Sequence, residues 1–323
     1  MRRRLSAATL TLALTVVPPP AAAAEPACPP SARVPTPVEI RQAMLTARDR
    51  GALWRLEKDG HRGWLYGTIH VGKPEWAMPG RAVVAALTDA ETIVLEADPL
   101  DPAFHAGVTA PAKPHEAPTL PAPIVLRLRQ QAGRTCIPWE RLRTMPPMMI
   151  ATTLTLLDAA WEGLFAEYAS EMVLAGYAKG ANKSLATLET TAIQRAAVTG
   201  GPPGEQLTSI EGVLGSLEQG TARKEVVSVA EAWARGDVDG LRRALVDVEG
   251  TDRPVVERAV TGRNPAMAAR IEELHAMGRR VFVAAGILHM VGEAGLPVLL
   301  RQRGFTVERV QFDGRVGLDA VKE

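Results

Sequence analysis

Two apolar patterns divide the chain. Short β-prone runs occupy 53–57, 64–70, 92–96, 184–189, 281–285 and 306–312, and stretches between them carry apolar residues at helical spacing. The first two runs, separated by a turn holding Gly60 and Gly63, predict a β-hairpin. The third, Thr92-Ile93-Val94-Leu95-Glu96, lacks alternation, as a strand covered on both faces would. Helices are predicted over 80–88 and over 36–51, where Thr36, Pro37 and Glu39 form a capping box and Gly51 supplies the stop. Residues 98–123 are rich in Pro and Ala and read as irregular. A mostly helical middle follows, with helices at 148–168, 205–217, 223–235 and 238–248, interrupted by the strand 184–189. Asn264 as N-cap and Pro265 at the first position open a helix that Gly278 ends. Strand 281–285, helix 293–302 and strand 306–312 predict a closing right-handed βαβ unit. The pattern is that of an α/β fold: a mixed central β-sheet flanked by helices, with a largely helical insertion, about 120–262, between the N- and C-terminal halves of the sheet. There is no solenoid-type repeat.

Two of the strand ends repeat one another. Gly67-Thr68-Ile69-His70 closes the run Trp64-Leu65-Tyr66, and Gly286-Ile287-Leu288-His289 closes the run 281–285. Each delivers a histidine from a rigid strand end past a glycine that admits close approach. The strands 92–96 and 184–189 end on Glu96 and Glu189, so four strand ends offer polar groups, and sites in α/β sheets form beyond the carboxyl ends of strands. Two imidazoles and one carboxylate leave open positions on a divalent ion, which is a catalytic rather than a structural arrangement. His70, His289 and Glu96 are therefore the candidate metal ligands. Glu189 is a candidate general base or an orienting group, and Arg263 a candidate partner for an oxyanion, a substrate carboxylate or one of the acids. There is no His-Glu-x-x-His helix, no Gly-x-Ser-x-Gly elbow and no phosphate-cradling loop. His61, His105, His115 and His275 fall in turn, loop or helical contexts that read as solvated, Asn264 is accounted for as a cap, and Met145–Met149 reads as helix-entry core.

The N-terminus changes where this chemistry would operate. Arg2, Arg3 and Arg4, an apolar stretch over 10–17 and small residues up to Ala24 read as a secretory signal peptide cut near Ala24, followed by a linker over 25–35 and one domain over 36–318. The apolar stretch is too short to span a bilayer and no later one approaches that length, so the expectation is a periplasmic or secreted protein without a membrane anchor. Removing residues 1–24 takes away three arginines and no acid, moving the formal charge from +1 to −2. That balance, without a basic stripe, argues against nucleic acid as a partner. The only two cysteines, Cys28 and Cys136, are free to pair in an oxidising compartment.

The ordered set Leu65-Tyr66-Gly67-Thr68-Ile69-His70, Leu95-Glu96, Leu188-Glu189-Thr190 with Gln194, Arg263-Asn264 and 283–289 resembles the TraB/GumN family, which includes the Tiki metalloproteases and is more distantly similar to erythromycin esterases and ChaN-like proteins. The closing stretch 295–307 resembles the family as well, so the likeness covers roughly 40–312. It implies a metal-dependent hydrolase in which His70, Glu96 and His289 take the metal role and Glu189 and Arg263 a supporting one. It also implies manganese or cobalt in preference to zinc, although a His₂Glu set accepts zinc, manganese, cobalt or iron. Met290-Val291-Gly292 departs from the family's commoner Leu-x-Gly, and 200–250 shows no distinctive match. The expected activity is hydrolysis of a peptide or small-molecule substrate. The competing expectation is a non-catalytic periplasmic accessory protein that binds a peptide, a metal or haem through the same histidines.

Overall fold

The apolar runs pair into one six-stranded sheet in the order β4-β3-β5-β2-β1-β6. Its strands are Ala52–Lys58 (β1), His61–Thr68 (β2), Thr92–Leu95 (β3), Ser184–Thr187 (β4), Val281–Gly286 (β5) and Thr306–Arg309 (β6). The computed structural model describes residues 28–113, 116–314 and 316–317; the signal-peptide reading over 1–24 and His115 lie outside them. Strand β1 runs antiparallel to both β2 and β6, whereas the pairs β2–β5, β5–β3 and β3–β4 are parallel. The sheet is mixed, as the patterning predicts. Every residue of β3 and the first five of β5 are buried, which is why neither run alternates.

Helices enclose the sheet. In chain order they are Pro37–Leu45 (α1), Arg81–Asp89 (α2), Pro102–Thr109 (α3), Ala122–Arg134 (α4), Trp139–Leu142 (α5), Pro147–Asp158 (α6) and Ser170–Gly180 (α7). Thr191–Thr199 (α8), Pro203–Gln219 (α9), Thr221–Ala234 (α10), Val238–Val256 (α11), Asn264–Ala276 (α12) and Leu296–Gln302 (α13) follow. One hydrophobic core surrounds the sheet; a second, built from Ile124, Leu128, Ile150, Leu154, Ile210 and Leu214, lies within the helical insertion. Met148 belongs to that second core, as its helix-entry position suggests. Cys28 and Cys136 form a disulfide that ties the N-terminal strap to the end of α4, with Cα atoms 5.5 Å apart. Among the described residues no helix is long and apolar enough to cross a membrane.

Several local expectations need correction. Helix α1 ends at Leu45 with Thr46 as its C-cap, short of Gly51. Gly51 instead sits at the entrance to β1 with φ of +70°, donating its N–H to Trp233 O at 2.9 Å. A Cβ there would lie 2.7 Å from Trp233 Nε1 and 2.8 Å from Gly67 O, the two atoms that bond each other at 2.8 Å. Left-handed backbone costs a non-glycine residue about 1–2 kcal/mol before any clash is counted. Gly51→Ala is thus expected to lower unfolding free energy by at least about 2 kcal/mol in a denaturant melt, and an unchanged midpoint would show that the indole contact is loose. Residues 98–123 are not wholly irregular: Asp101 caps α3 through Ala103 N at 2.8 Å, with Pro102 at the first position. The apolar stretch 148–168 is helical only to Asp158, then breaks into short 3₁₀ turns around Gly163. His275 is buried rather than solvated and packs edge-on against Phe305, whereas His61 and His105 are exposed. Strands β5 and β6 run in the same direction but are not neighbours, because β2 and β1 lie between them and α13 spans that gap.

Candidate functional site

Parallel pairing places the two G-x-x-H segments side by side. Gly67 is opposite Ala285 and Thr68 opposite Gly286 in the β2–β5 register, so both chains leave the sheet at the same edge. Leu95 of β3 is opposite Ala284 on one side and Thr187 on the other, which brings Glu96 to that edge between the two halves of the sheet. The β3–β4 ladder continues through Leu188 N to Leu95 O at 2.8 Å and Glu189 N to Glu96 O at 3.0 Å, so Glu189 lies beside Glu96. Four strand ends from opposite parts of the chain thus meet.

Gly286 is the centre of the arrangement. A Cβ on it would lie 3.2 Å from Glu96 Oε1, 3.5 Å from His289 Cδ2 and 3.9 Å from His70 Nε2. The space a side chain would occupy is left to these polar groups. Gly286 N donates to Glu96 Oε1 at 2.5 Å, and His289 Nε2 lies 3.7 Å from the same oxygen. The other carboxylate oxygen, Oε2, accepts from Arg263 Nη2 at 2.8 Å and from Gln194 Nε2 at 3.0 Å. Arg263 also donates through Nε to Glu189 Oε1 at 2.9 Å, through Nη2 to Glu189 Oε2, and through Nη1 to Ala259 O at 2.6 Å. Its guanidinium is spent on the protein's own acceptors. Gln194 Nε2 donates to Glu189 Oε2 at 2.5 Å, so Glu189 is held by three donors from two residues and is almost fully buried.

Each histidine has its second ring nitrogen occupied. His289 Nδ1 lies 2.5 Å from Asn264 Oδ1, and Asn264 Nδ2 in turn donates to Ala294 O at 2.8 Å. Asn264 is the first residue of α12, with Arg263 in the cap position, and its fully buried side chain reaches across to His289 instead of capping the helix. Its expected capping role is therefore overturned. His70 Nδ1 contacts Glu171 Oε1 at the start of α7. Sequence reasoning missed Glu171 altogether. With both Nδ1 atoms engaged, the Nε2 atoms are the ones available toward Glu96.

The charges are set by these contacts. Burial lowers His289 to about 4, so its ring is neutral at neutral pH. The Glu171 carboxylate raises His70 to about 9, with Glu96 acting in the same direction. Burial alone would lift the Glu96 carboxyl, but His289, His70, Arg263 and the Gly286 amide outweigh it and hold it at about 2. Arg263 is raised because its carboxylate partners overcome burial. Three carboxylates, Glu96, Glu171 and Glu189, face Arg263 and the protonated His70 ring, so a cation that displaced the His70 proton would meet an excess of negative charge.

The donor set fits a divalent transition metal in kind: two imidazole Nε2 atoms and one carboxylate oxygen around a point no side chain fills. Among the described residues, however, no three His, Cys, Asp or Glu side chains are closed tightly enough to hold an ion as they stand. The pocket in front is a cavity of about 130 Å³. Its lining combines the polar groups of His70, Glu96, Glu171 and Gln194 with the apolar Pro99 and Phe104. His70 is the group a ligand would meet first, with 66% of its side chain exposed.

Residues 52–309 match the sequence model of the TraB/PrgY/gumN family, which is most of the chain and includes every group just described. The chain belongs to the TraB/PrgY/gumN family. No curated protein and no solved structure matches it. Within this family member the matched stretch begins at β1 and ends with β6, so the family boundary coincides with the sheet and leaves α1 and the disulfide strap outside it.

Proposed function

We propose that the chain is an exported, metal-dependent hydrolase acting on peptides. The observation that carries the reading is the convergence of His70, Glu96 and His289 on the side-chain-free position at Gly286, in a family chain where both Nδ1 atoms are already taken. His70, Glu96 and His289 would hold a divalent ion, manganese, cobalt or zinc, which when bound supplies Lewis-acid polarisation of a carbonyl and acidifies water. The protein's own groups do the rest. Asn264 keeps the neutral His289 ring in one orientation, and Arg263, Gln194 and the Gly286 amide fix both oxygens of Glu96. Glu189 supports the reading as an orienting group: buried and doubly held, it positions Arg263 rather than facing the cleft. Arg263 likewise acts through Glu96 and Glu189, since its Nε and Nη2 donors are committed to them.

The size of the cleft argues against sequestration of haem. About 130 Å³ accepts one side chain or a single reacting group, well below the roughly 300 Å³ at which pockets for whole drug-sized ligands begin. An extended chain would place its scissile group in the cleft and lie along the surface on either side.

The test is titration of the natively purified mature protein with Mn²⁺, Co²⁺ or Zn²⁺, alongside incubation with a peptide library. The wild type is expected to bind one ion per chain and to cleave peptides. His70→Ala and His289→Ala are each expected to weaken binding by at least about 100-fold, through loss of a direct ligand and its hydrogen-bonded support. Wild-type affinity in both variants would refute the shared site; binding without cleavage of any peptide would favour an accessory binding protein.

A further inference from the structure

We propose that Glu171 is a positioning residue for His70: its carboxylate holds Nδ1 so that Nε2 faces Glu96 and Gly286. The proposal rests on the hydrolase reading for its metal but on the structure alone for the contact. His70 follows the end of β2 on a loop that would otherwise be free to swing, and most of its ring is exposed. The loop is clamped on both sides of it. Before it, Ile69 N donates to Ser170 Oγ at 2.8 Å and Ser170 N to Ile69 O at 3.0 Å. After it, Gly72 and Phe165 exchange backbone bonds, Gly72 N to Phe165 O at 2.9 Å and Phe165 N to Gly72 O at 2.8 Å. Both clamps belong to the segment that leads into α7, so that segment fixes the backbone of His70 and, one residue past Ser170, presents Glu171 to its ring.

The placement of Glu171 is not that of an ordinary surface acid. Its side chain is 17% exposed, it lines the same cavity as His70 and Glu96, and Ser170 Oγ lies 3.4 Å from its other oxygen, Oε2. Its contact with His70 joins groups 101 residues apart in sequence, so it is made by tertiary packing of α7 and not by local spacing. It is also the counterpart of Asn264 on His289. One ring is buttressed by a carboxylate and the other by a neutral amide, at the same ring nitrogen. A carboxylate on Nδ1 makes the opposite nitrogen a stronger donor than an amide does, and outer contacts of this kind contribute roughly 10–100-fold to metal affinity.

Three variants of the full mature chain test this: Glu171→Ala, Glu171→Gln and, as the assignment control, His70→Ala. In chelated protein, proton NMR is expected to show a downfield Nδ1–H resonance that His70→Ala and Glu171→Ala both remove and Glu171→Gln, whose amide oxygen still accepts, retains. In Co²⁺ and Zn²⁺ titrations Glu171→Ala is expected to lose 10–100-fold in affinity, Glu171→Gln to recover part of it, and thermal melts of the wild type, Glu171→Ala and Glu171→Gln to overlay. Wild-type affinity in Glu171→Ala, or a resonance that survives it, would overturn the proposal. A wild-type chain that binds no ion but shows the Glu171-dependent resonance would refute the hydrolase reading while supporting the positioning contact.

Discussion

Arg263→Ala is expected to lower the unfolding free energy by about 3–5 kcal/mol, the usual cost of removing one partner from a buried ion pair. Arg263 and Glu96 are each only 13% exposed at the side chain and Glu189 5%, so water cannot take over for the missing guanidinium. The cost comes from what remains. Without Arg263, Glu96 keeps Gln194 and the Gly286 amide, and Glu189 keeps Gln194 alone among its side-chain partners given above. Two neighbouring carboxylates then lack a cation between them. Arg263→Lys restores charge without the planar fork that reaches both acids, so it should recover part of the loss. Guanidinium unfolding of the three proteins at neutral pH reads the effect. A loss below about 1 kcal/mol for the alanine variant would mean that the pair contributes no more than a solvent-exposed ion pair.

The Cys28–Cys136 disulfide sets the second large expectation. It closes a loop of 108 residues, and on the chain-entropy account a loop of that length restrains the unfolded state by about 4–5 kcal/mol. Cys28→Ser combined with Cys136→Ser should therefore lose about 2–5 kcal/mol of unfolding free energy, measured by the same melts, and adding reductant to the wild type should reproduce the shift. Among the described residues the strap is also held by the Tyr168 hydroxyl donating to Arg33 O and by an exposed Arg33–Glu39 pair, neither of which replaces a covalent tie. If reduction leaves the melt unchanged, the strap does not limit unfolding.

The parts of this fold that were legible in the sequence are those fixed by local pattern. Strands β1 to β6 each register as an apolar run, and the capping box of α1 is present as Thr36 and Glu39 predict. His70, Glu96, Glu189 and His289 stand at strand ends, so parallel pairing was enough to suggest their meeting. The groups that steer them were hidden for a physical reason. Glu171 sits in the first turn of α7, where an acid is unremarkable, and only the packing of that helix against the loop after β2 brings it to His70. Asn264 before Pro265 gives the same local signature whether the amide caps its helix or crosses to another element. Its burial and its contact with His289 arise from the approach of α12 to the turn after β5, which no window of sequence contains. His275 was misplaced similarly, by an amphipathic pattern too weak to show which face would be covered.

The register between β2 and β5 has a consequence in time. Trp64 pairs with Phe282, so the histidines are brought together by strands more than 200 residues apart in the chain. A growing polypeptide carries His70 long before His289, which follows it by 219 residues. No product truncated before residue 289 can hold both, and contacts of such long range slow folding. The site is therefore incomplete until β5 has been made and paired with β2.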